Sequence, residues 1–215
     1  MSHFFDKIFR RLRIKGKHNV VQYVKNKDGY IKIRGNDNSF ICKNSQENLT
    51  VIFCGNNNKL VIEENVMVNG VTISIGRSNS PVENCSVYIG KNTLIGKNSV
   101  ILLMESNSYV HIGENCMFAA NCNIWCTDAH AIMDLNGNIT NIGKSVEIGN
   151  HVWVGADVKI GKNTKIMDHC IVGWNSVVSR KFDEANVIIA GNPATIVKKN
   201  ITWDKNPTQT ILGQN

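Results

Sequence analysis

Seven branched aliphatic residues, Ile142, Ile148, Val154, Ile160, Ile166, Val172 and Val178, recur at every sixth position without a miss. Glycine follows five of them, at Gly143, Gly149, Gly155, Gly161 and Gly173, and Met167 takes its place once. A second row of small or branched residues, Val146, Val152, Val158, Thr164, Cys170 and Ser176, lies four positions after each start. A period of six fits neither a helix, which repeats every 3.6 residues, nor a strand, which alternates every two. Short strands joined by tight turns do satisfy it. Three to a coil of about 18 residues, they form a parallel β-helix whose inward aliphatics stack from coil to coil. A propeller or sandwich would need longer strands and two-residue hairpins instead.

The same hexads run through Ile89, Ile95 and Ile101, and again through Ile112, Phe118 and Ile124. Ile101 and Ile112 are eleven apart rather than twelve, so one coil there departs from the rule. Further upstream, IRGNDNSFI (33–41) and FCGNNNKLVI (53–62) repeat a Gly-Asn-x-Asn turn twenty residues apart. The chain contains thirty asparagines and seventeen glycines, the residue types that accept the left-handed turns such a solenoid requires. The expected class is all-β, with an irregular solenoid over 19–84, a regular β-helix over 85–190 and a cap and tail over 191–215.

Residues 1–18 read differently. Phe4, Phe5, Ile8, Phe9 and Leu12 fall at roughly helical spacing with arginines between them, which predicts a short amphipathic helix over 2–14. It reads either as a cap packed on the solenoid or as an interfacial membrane contact. Residues 1–20 hold a net charge of +5 of the formal +7, leaving about +2 for the rest. That argues against a broad nucleic-acid surface, since no aromatic-interleaved basic tract occurs elsewhere. The seven cysteines include no CxxC pair, and there is neither a signal-peptide core nor an apolar run of membrane-spanning length. The expectation is a cytoplasmic protein with reduced thiols, peripheral to the inner face of the membrane if the N-terminal helix binds there.

The stretch CTDAHAIMD (126–134) interrupts the pattern. Strict register would turn His130 and Asn136 inward, and burying both without partners is costly. A loop over 127–141 that leaves the coil is the better reading. Loops on rigid scaffolds commonly carry catalytic groups, and imidazole suits the removal of a proton from a hydroxyl near neutral pH.

TDAHAIMDLNGN, IGNHVWVGADVKI and VIIAGNPATIVKK, in this order and spacing, resemble the hexapeptide-repeat O-acetyltransferases, and in particular the bacterial capsule and polysialic acid O-acetyltransferases, which the tail IVKKNITW (196–203) also resembles. The likeness covers residues 85–203. It implies a left-handed β-helix, acetyl-CoA as cosubstrate, no metal, and a homotrimer with sites between subunits. The acceptor it implies is a sugar hydroxyl of a cell-surface polysaccharide or its precursor. Direct transfer onto a free sugar, a sugar nucleotide or serine is the alternative on the same scaffold, and a non-enzymatic solenoid the more distant one.

By the same resemblance His130 is the general base, and Asp128 or a backbone carbonyl orients its ring. Trp153 lines the acceptor and cofactor cleft. Gly155 and Ala156 leave room beside the strand, and their N–H groups are candidate donors to a developing oxyanion. Gly191, Asn192 and Pro193 form the turn near the adenine end of coenzyme A. Lys198 and Lys199 are candidates for its phosphates, as are Arg180 and Lys181, which read equally as solvated charges. Ser179 departs from the tyrosine of the polysialic acid relatives, with Trp174 as a candidate replacement surface. That leaves the acceptor open. His111, His151 and His169 lack metal-ligand spacing and read as structural or cleft-lining, while Cys116 and Cys122 fit inward positions. Cys126 is near His130 in sequence, but direct transfer needs no thiol.

Overall fold

In the computed structural model, which describes residues 11–212, three parallel sheets wind around one another as the faces of a triangular prism. The first sheet stacks Leu12–Lys15, Tyr30–Arg34, Thr50–Cys54, Thr72–Ile75, Val100–Leu103, Asn123–Trp125, Lys159–Ile160 and Val177–Val178. The second stacks Val20–Tyr23, Ser39–Cys42, Lys59–Ile62, Ser86–Ile89, Tyr109–Ile112, Ser145–Ile148, Thr164–Ile166 and Lys181–Phe182. The third holds Met67–Val68, Leu94–Ile95, Met117–Phe118, Trp153–Val154, Ile171–Val172 and Ile188–Gly191, closed by the antiparallel strand Ala194–Lys198. Below Met67 this face continues as the pair Asn26–Lys27 and Gln46–Glu47, joined to it through Glu47 and Asn69.

Each hexad places two side chains inward. Val146 and Ile148, Val152 and Val154, Val158 and Ile160 are all at most 1% exposed, and the partner rows stack them in register one coil apart. Phe118 packs in the same way on Ile95 and Val154. Stacking brings the corners so close that some admit no side chain. A Cβ on Gly113 would lie 2.6 Å from the Gly149 carbonyl of the next coil.

The asparagines have two jobs. Of the non-glycine residues with positive φ, all except Ala129 are asparagine, aspartate or histidine, the types whose short polar side chains stabilise that conformation. Asparagines also join coils along the edges. Asn38 is fully buried; its Nδ2 donates to the Gly55 carbonyl at 2.9 Å, and its Oδ1 accepts the Asn58 N–H at 3.0 Å. Asn58 repeats this with Val82 and Cys85.

The early part is a solenoid whose coils, from Leu12 on, are longer than 18 residues, which weakens its period; Ile31 and Val51, paired across one coil, are twenty apart. One expectation changes. Ile142, counted as the first of the seven hexads, is 52% exposed and lies outside the coil. Ile124 stacks on Ile160, 36 positions on, whereas Ile160 and Val178 are 18 apart. The loop therefore inserts one coil's length and preserves the phase by count alone. The amphipathic helix expected over 2–14 lies, up to residue 10, outside the described residues; Arg11 is helical, and from Leu12 the chain is strand, Leu12–Lys15. Among the described residues no helix is long and apolar enough to cross a membrane; a short helix, Thr208–Leu212, lies in the tail.

Candidate active site

The edge between the first and second sheets carries the inserted loop. The chain leaves the coil at Cys126 and returns at Gly143, and a Cβ on Gly143 would lie 2.4 Å from the Cys126 carbonyl. The neck therefore closes only on a glycine. Beyond it the loop is a small ordered hairpin: Asp134 N–H donates to Asn138 O and Thr140 N–H to Ile132 O, both at 2.9 Å. The Asp134 carboxylate accepts the Asn138 side-chain amide and then the Asn138 and Asn136 N–H groups, which holds its own pKa down. Ile132, Met133, Leu135, Ile139 and Ile142 are all more than half exposed on this hairpin.

His130 stands exposed on the ascending limb, and its carbonyl accepts Asn141 Nδ2 at 2.8 Å. Among the described residues no side chain bonds its ring. Among the described residues Asp128 makes no hydrogen bond to the imidazole: its Oδ2 accepts Asn141 Nδ2 at 2.8 Å and pairs with Lys162 Nζ of the following coil. The Lys162 hydrogen bond is the main reason the Asp128 carboxyl is held below the usual carboxylate range. Ala129, between Asp128 and His130, has φ +62°, and its N–H donates to Thr127 Oγ1 at 2.8 Å. Thr127 Oγ1 in turn donates to Glu105 Oε1 at 2.8 Å. Glu105 lies on the same edge one coil earlier. Burial pushes its carboxyl pKa up, and its Oε2 is enclosed without a hydrogen-bond partner among the described residues.

Trp153 projects from the third sheet, between Met117 and Ile171 in register, and is 37% exposed. The outward row there is apolar throughout: Met67, Leu94, Met117, Trp153, Ile171 and Ile188. Trp203 of the tail lies over part of it, stacked on His151 at 4.4 Å between ring centroids and donating from Nε1 to the His151 carbonyl at 2.8 Å. At the corner after the third sheet, Gly155, Ala156, Trp174 and the GNPA turn form a strip on successive coils. A Cβ on Gly155 would meet Trp174 N at 2.6 Å, and Gly191 N–H donates to Ser176 Oγ at 3.1 Å. Trp174 is 80% exposed. The Gly155 N–H is already given to Val172 O at 2.8 Å, so of the two suggested oxyanion donors only Ala156 stays available.

These residues form two groups. His130, Asp128, Arg180 and Lys181 belong to the edge between the first and second sheets, whereas Trp153, Gly155, Ala156, Trp174, Gly191, Asn192, Pro193 and Lys198 belong to the third sheet and its following corner. In a triangular prism that edge lies opposite the third face. Arg180 and Lys181 are exposed, and Lys181 is a register neighbour of Lys165. Lys198 is exposed on the closing strand, and Lys199 pairs with Glu184 at 2.7 Å. His111 stacks on Tyr88, and His151 contacts His169. Cys126 is fully buried, its thiol pKa pushed up to about 12 by burial and then by Glu105.

The hexapeptide repeat of succinyl-transferase matches residues 86–124. A polysialic acid O-acetyltransferase of Neisseria meningitidis is 38% identical over 180 residues, which is 81% of this chain and 79% of that protein. The crystal structure of the polysialic acid-specific acetyltransferase NeuO superposes with a TM-score of 0.83 at 28% identity, covering 95% of this chain and 86% of the other. That of the polysialic acid O-acetyltransferase OatWY gives 0.78 at 31%, covering 95% and 94%. The chain belongs to the hexapeptide-repeat O-acetyltransferases.

As a member of that family it is an acetyl-transferring enzyme on a left-handed parallel β-helix. The sequence pointed to His130 through the broken hexad and to Trp153 through HVWVG. It gave no role to Glu105 or Lys162, because these meet the loop only across coils and belong to no motif; Thr127 stood in the quoted loop motif without an assigned partner, and Asn141 lay beyond its end. Trp203 was visible only as part of the tail resemblance.

Proposed function

We propose that this enzyme transfers acetyl directly from acetyl-CoA to a sugar hydroxyl of an acidic cell-surface polysaccharide or its precursor, with His130 as general base. The observation that carries the reading is an exposed histidine on an ordered insert whose neck is built into the solenoid, in a chain aligned over four-fifths of its length with a polysialic acid O-acetyltransferase. A hydroxyl must lose its proton as it attacks a thioester, and a ring free of side-chain hydrogen bonds on a fixed loop suits that task. No covalent enzyme intermediate is required.

The site is read as shared between subunits of a homotrimer. One chain holds its histidine loop and its tryptophan face on opposite parts of the prism, and a second copy brings the two kinds of surface together. The apolar hairpin tip and the apolar row of the third sheet suit such a contact. On this reading Trp174, Ala156, Gly191, Asn192 and Pro193 line the pantetheine and adenine end of the donor, Lys198 meets its phosphates, and Arg180 and Lys181 flank the histidine edge.

Acceptor charge is read from the first sheet. Arg13 neighbours Lys32 and Lys15 neighbours Arg34 in register, a basic face on the early coils that suits an acidic polymer. Ser179, where the polysialic acid relatives have tyrosine, keeps polysialic acid itself from being assumed. Calorimetry with acetyl-CoA followed by thioester turnover tests the reading on acidic polysaccharides and, in parallel, on free sugars. Turnover on the polymers that disappears in His130→Ala supports it. Absence of donor binding at millimolar concentration overturns it, and preference for free sugars moves the acceptor to the small-molecule class.

A further inference from the structure

Three features of the loop converge on one residue. Ala129 is the one non-glycine residue other than asparagine, aspartate and histidine that the described chain holds at positive φ. A β-carbon disfavours that conformation, and alanine has no polar side chain to stabilise it, so something outside the residue must. The Ala129 N–H is taken by Thr127 Oγ1, whose own proton is committed to Glu105 Oε1. Thr127 is 3% exposed, so water does not compete for its hydroxyl. Glu105 belongs to the coil before the loop.

On the other side the restraint comes from the coil after it. Lys162 keeps only 20% of its side-chain exposure and pairs with Asp128, the residue preceding Ala129. Asp128 also accepts Asn141 Nδ2, which donates to the His130 carbonyl as well and so ties the ascending limb to the descending one. The peptide that carries His130 is thus gripped from the coil before and from the coil after, by bonds that never touch the imidazole.

We infer that Thr127 with Glu105, and Lys162 with Asp128, are positioning residues that hold the His130 backbone in its working geometry from two neighbouring coils. The inference rests on the reading of His130 as the base. It replaces the role of Asp128 as a ring-orienting partner with one in fixing the loop. The chemistry requires it because a general base misplaced by about 1 Å loses much of its advantage, on the order of a hundredfold in unfavourable cases.

The test compares isosteric losses with conservative replacements: Thr127→Val against Thr127→Ser, and Lys162→Met against Lys162→Arg, with His130→Ala alongside. Turnover, the KM for acetyl-CoA and the melting temperature are measured for each. The expected result is a kcat lowered about tenfold or more in Thr127→Val and Lys162→Met, with donor KM within about threefold and most of kcat recovered in the serine and arginine variants. Two results overturn the inference: kcat within about twofold of the parent in both isosteric variants while His130→Ala is inactive, or conservative variants as impaired as the isosteric ones. Full turnover in His130→Ala would instead overturn the base assignment, so the two failures are distinct.

Discussion

His151 and His169, one coil apart at equivalent turn positions, face each other with 3.1 Å between their Nδ1 atoms. One ring can donate to the other only while at most one of them is charged. Burial first, and then the neighbouring His169, lower the pKa of His151, with Asp204 acting in the opposite sense. Trp203 covers the other face of His151, so the state of this ring bears on how the tail is docked.

A pH dependence follows. A lowered folded-state pKa means that the fold favours the neutral ring. The contribution is fully present above the unfolded imidazole value of about 6.5 and is lost as pH falls through the folded value. The melting temperature is expected to drop by a few degrees between neutral and mildly acidic pH. His151→Asn, which keeps a residue suited to φ +53°, is expected to flatten that slope. Melting curves of both proteins across this range check it. An identical slope in the variant would assign the dependence to other groups.

Cys126 is expected to be dispensable for chemistry. With the thiol pKa near 12, its thiolate fraction at neutral pH is roughly one in 10⁵. Its side chain is also fully buried beneath the loop neck rather than presented to substrate. Cys126→Ala is expected to keep turnover within about twofold and to lose on the order of 1 kcal/mol of stability from the small cavity. Alkylation-resistant turnover in the parent protein would agree. A complete loss of turnover in a folded variant would bring the thiol back into the mechanism.

Asn38→Ala is expected to be costly despite removing a polar residue. It would strip the buried Gly55 carbonyl and the Asn58 N–H of their side-chain partners. At about 1–3 kcal/mol for each of the two unsatisfied buried groups, the loss is on the order of 2–6 kcal/mol. Denaturant titration measures it, and a loss below about 1 kcal/mol would mean that water or a shifted coil replaces both bonds.

The legibility of this chain in its sequence follows from the range of each interaction. Ile148, Val154 and Ile160 were readable as inward residues because stacking repeats the same demand every six positions, and the period records it. His130 was readable because it breaks that demand. Ile142 misled because the insert is one coil long, so its position keeps the phase although its side chain is exposed. The asparagines were legible as a composition, but not which of them turn the chain and which bridge coils: Asn57 takes φ +54°, whereas Asn38, which looks the same in sequence, is fully buried and bridges. Lys162 and Glu105 were invisible because they lie 34 and 23 residues from Asp128 and meet its loop only when three coils are stacked.

Gly143→Ala isolates the neck of the loop from its tip. The added methyl would lie 2.4 Å from the Cys126 carbonyl oxygen and 3.2 Å from the enclosed Glu105 Oε2, two groups fixed by the coil rather than by the hairpin. The Glu105 carboxylate ends a side chain and can give by a few tenths of an ångström, but the Cys126 carbonyl is backbone, so the returning strand has to move. Overpacking of this kind costs about 1–3 kcal/mol, and here the strain is relieved by shifting the hairpin that carries His130. The expected result is a kcat lowered by about tenfold or more with acetyl-CoA affinity nearly unchanged, because the third-sheet strip lies on a different part of the prism. Turnover and donor calorimetry on the same preparation check both halves. A kcat equal to the parent's would show that the neck tolerates displacement and that the hairpin keeps its place by the Lys162 and Thr127 contacts alone.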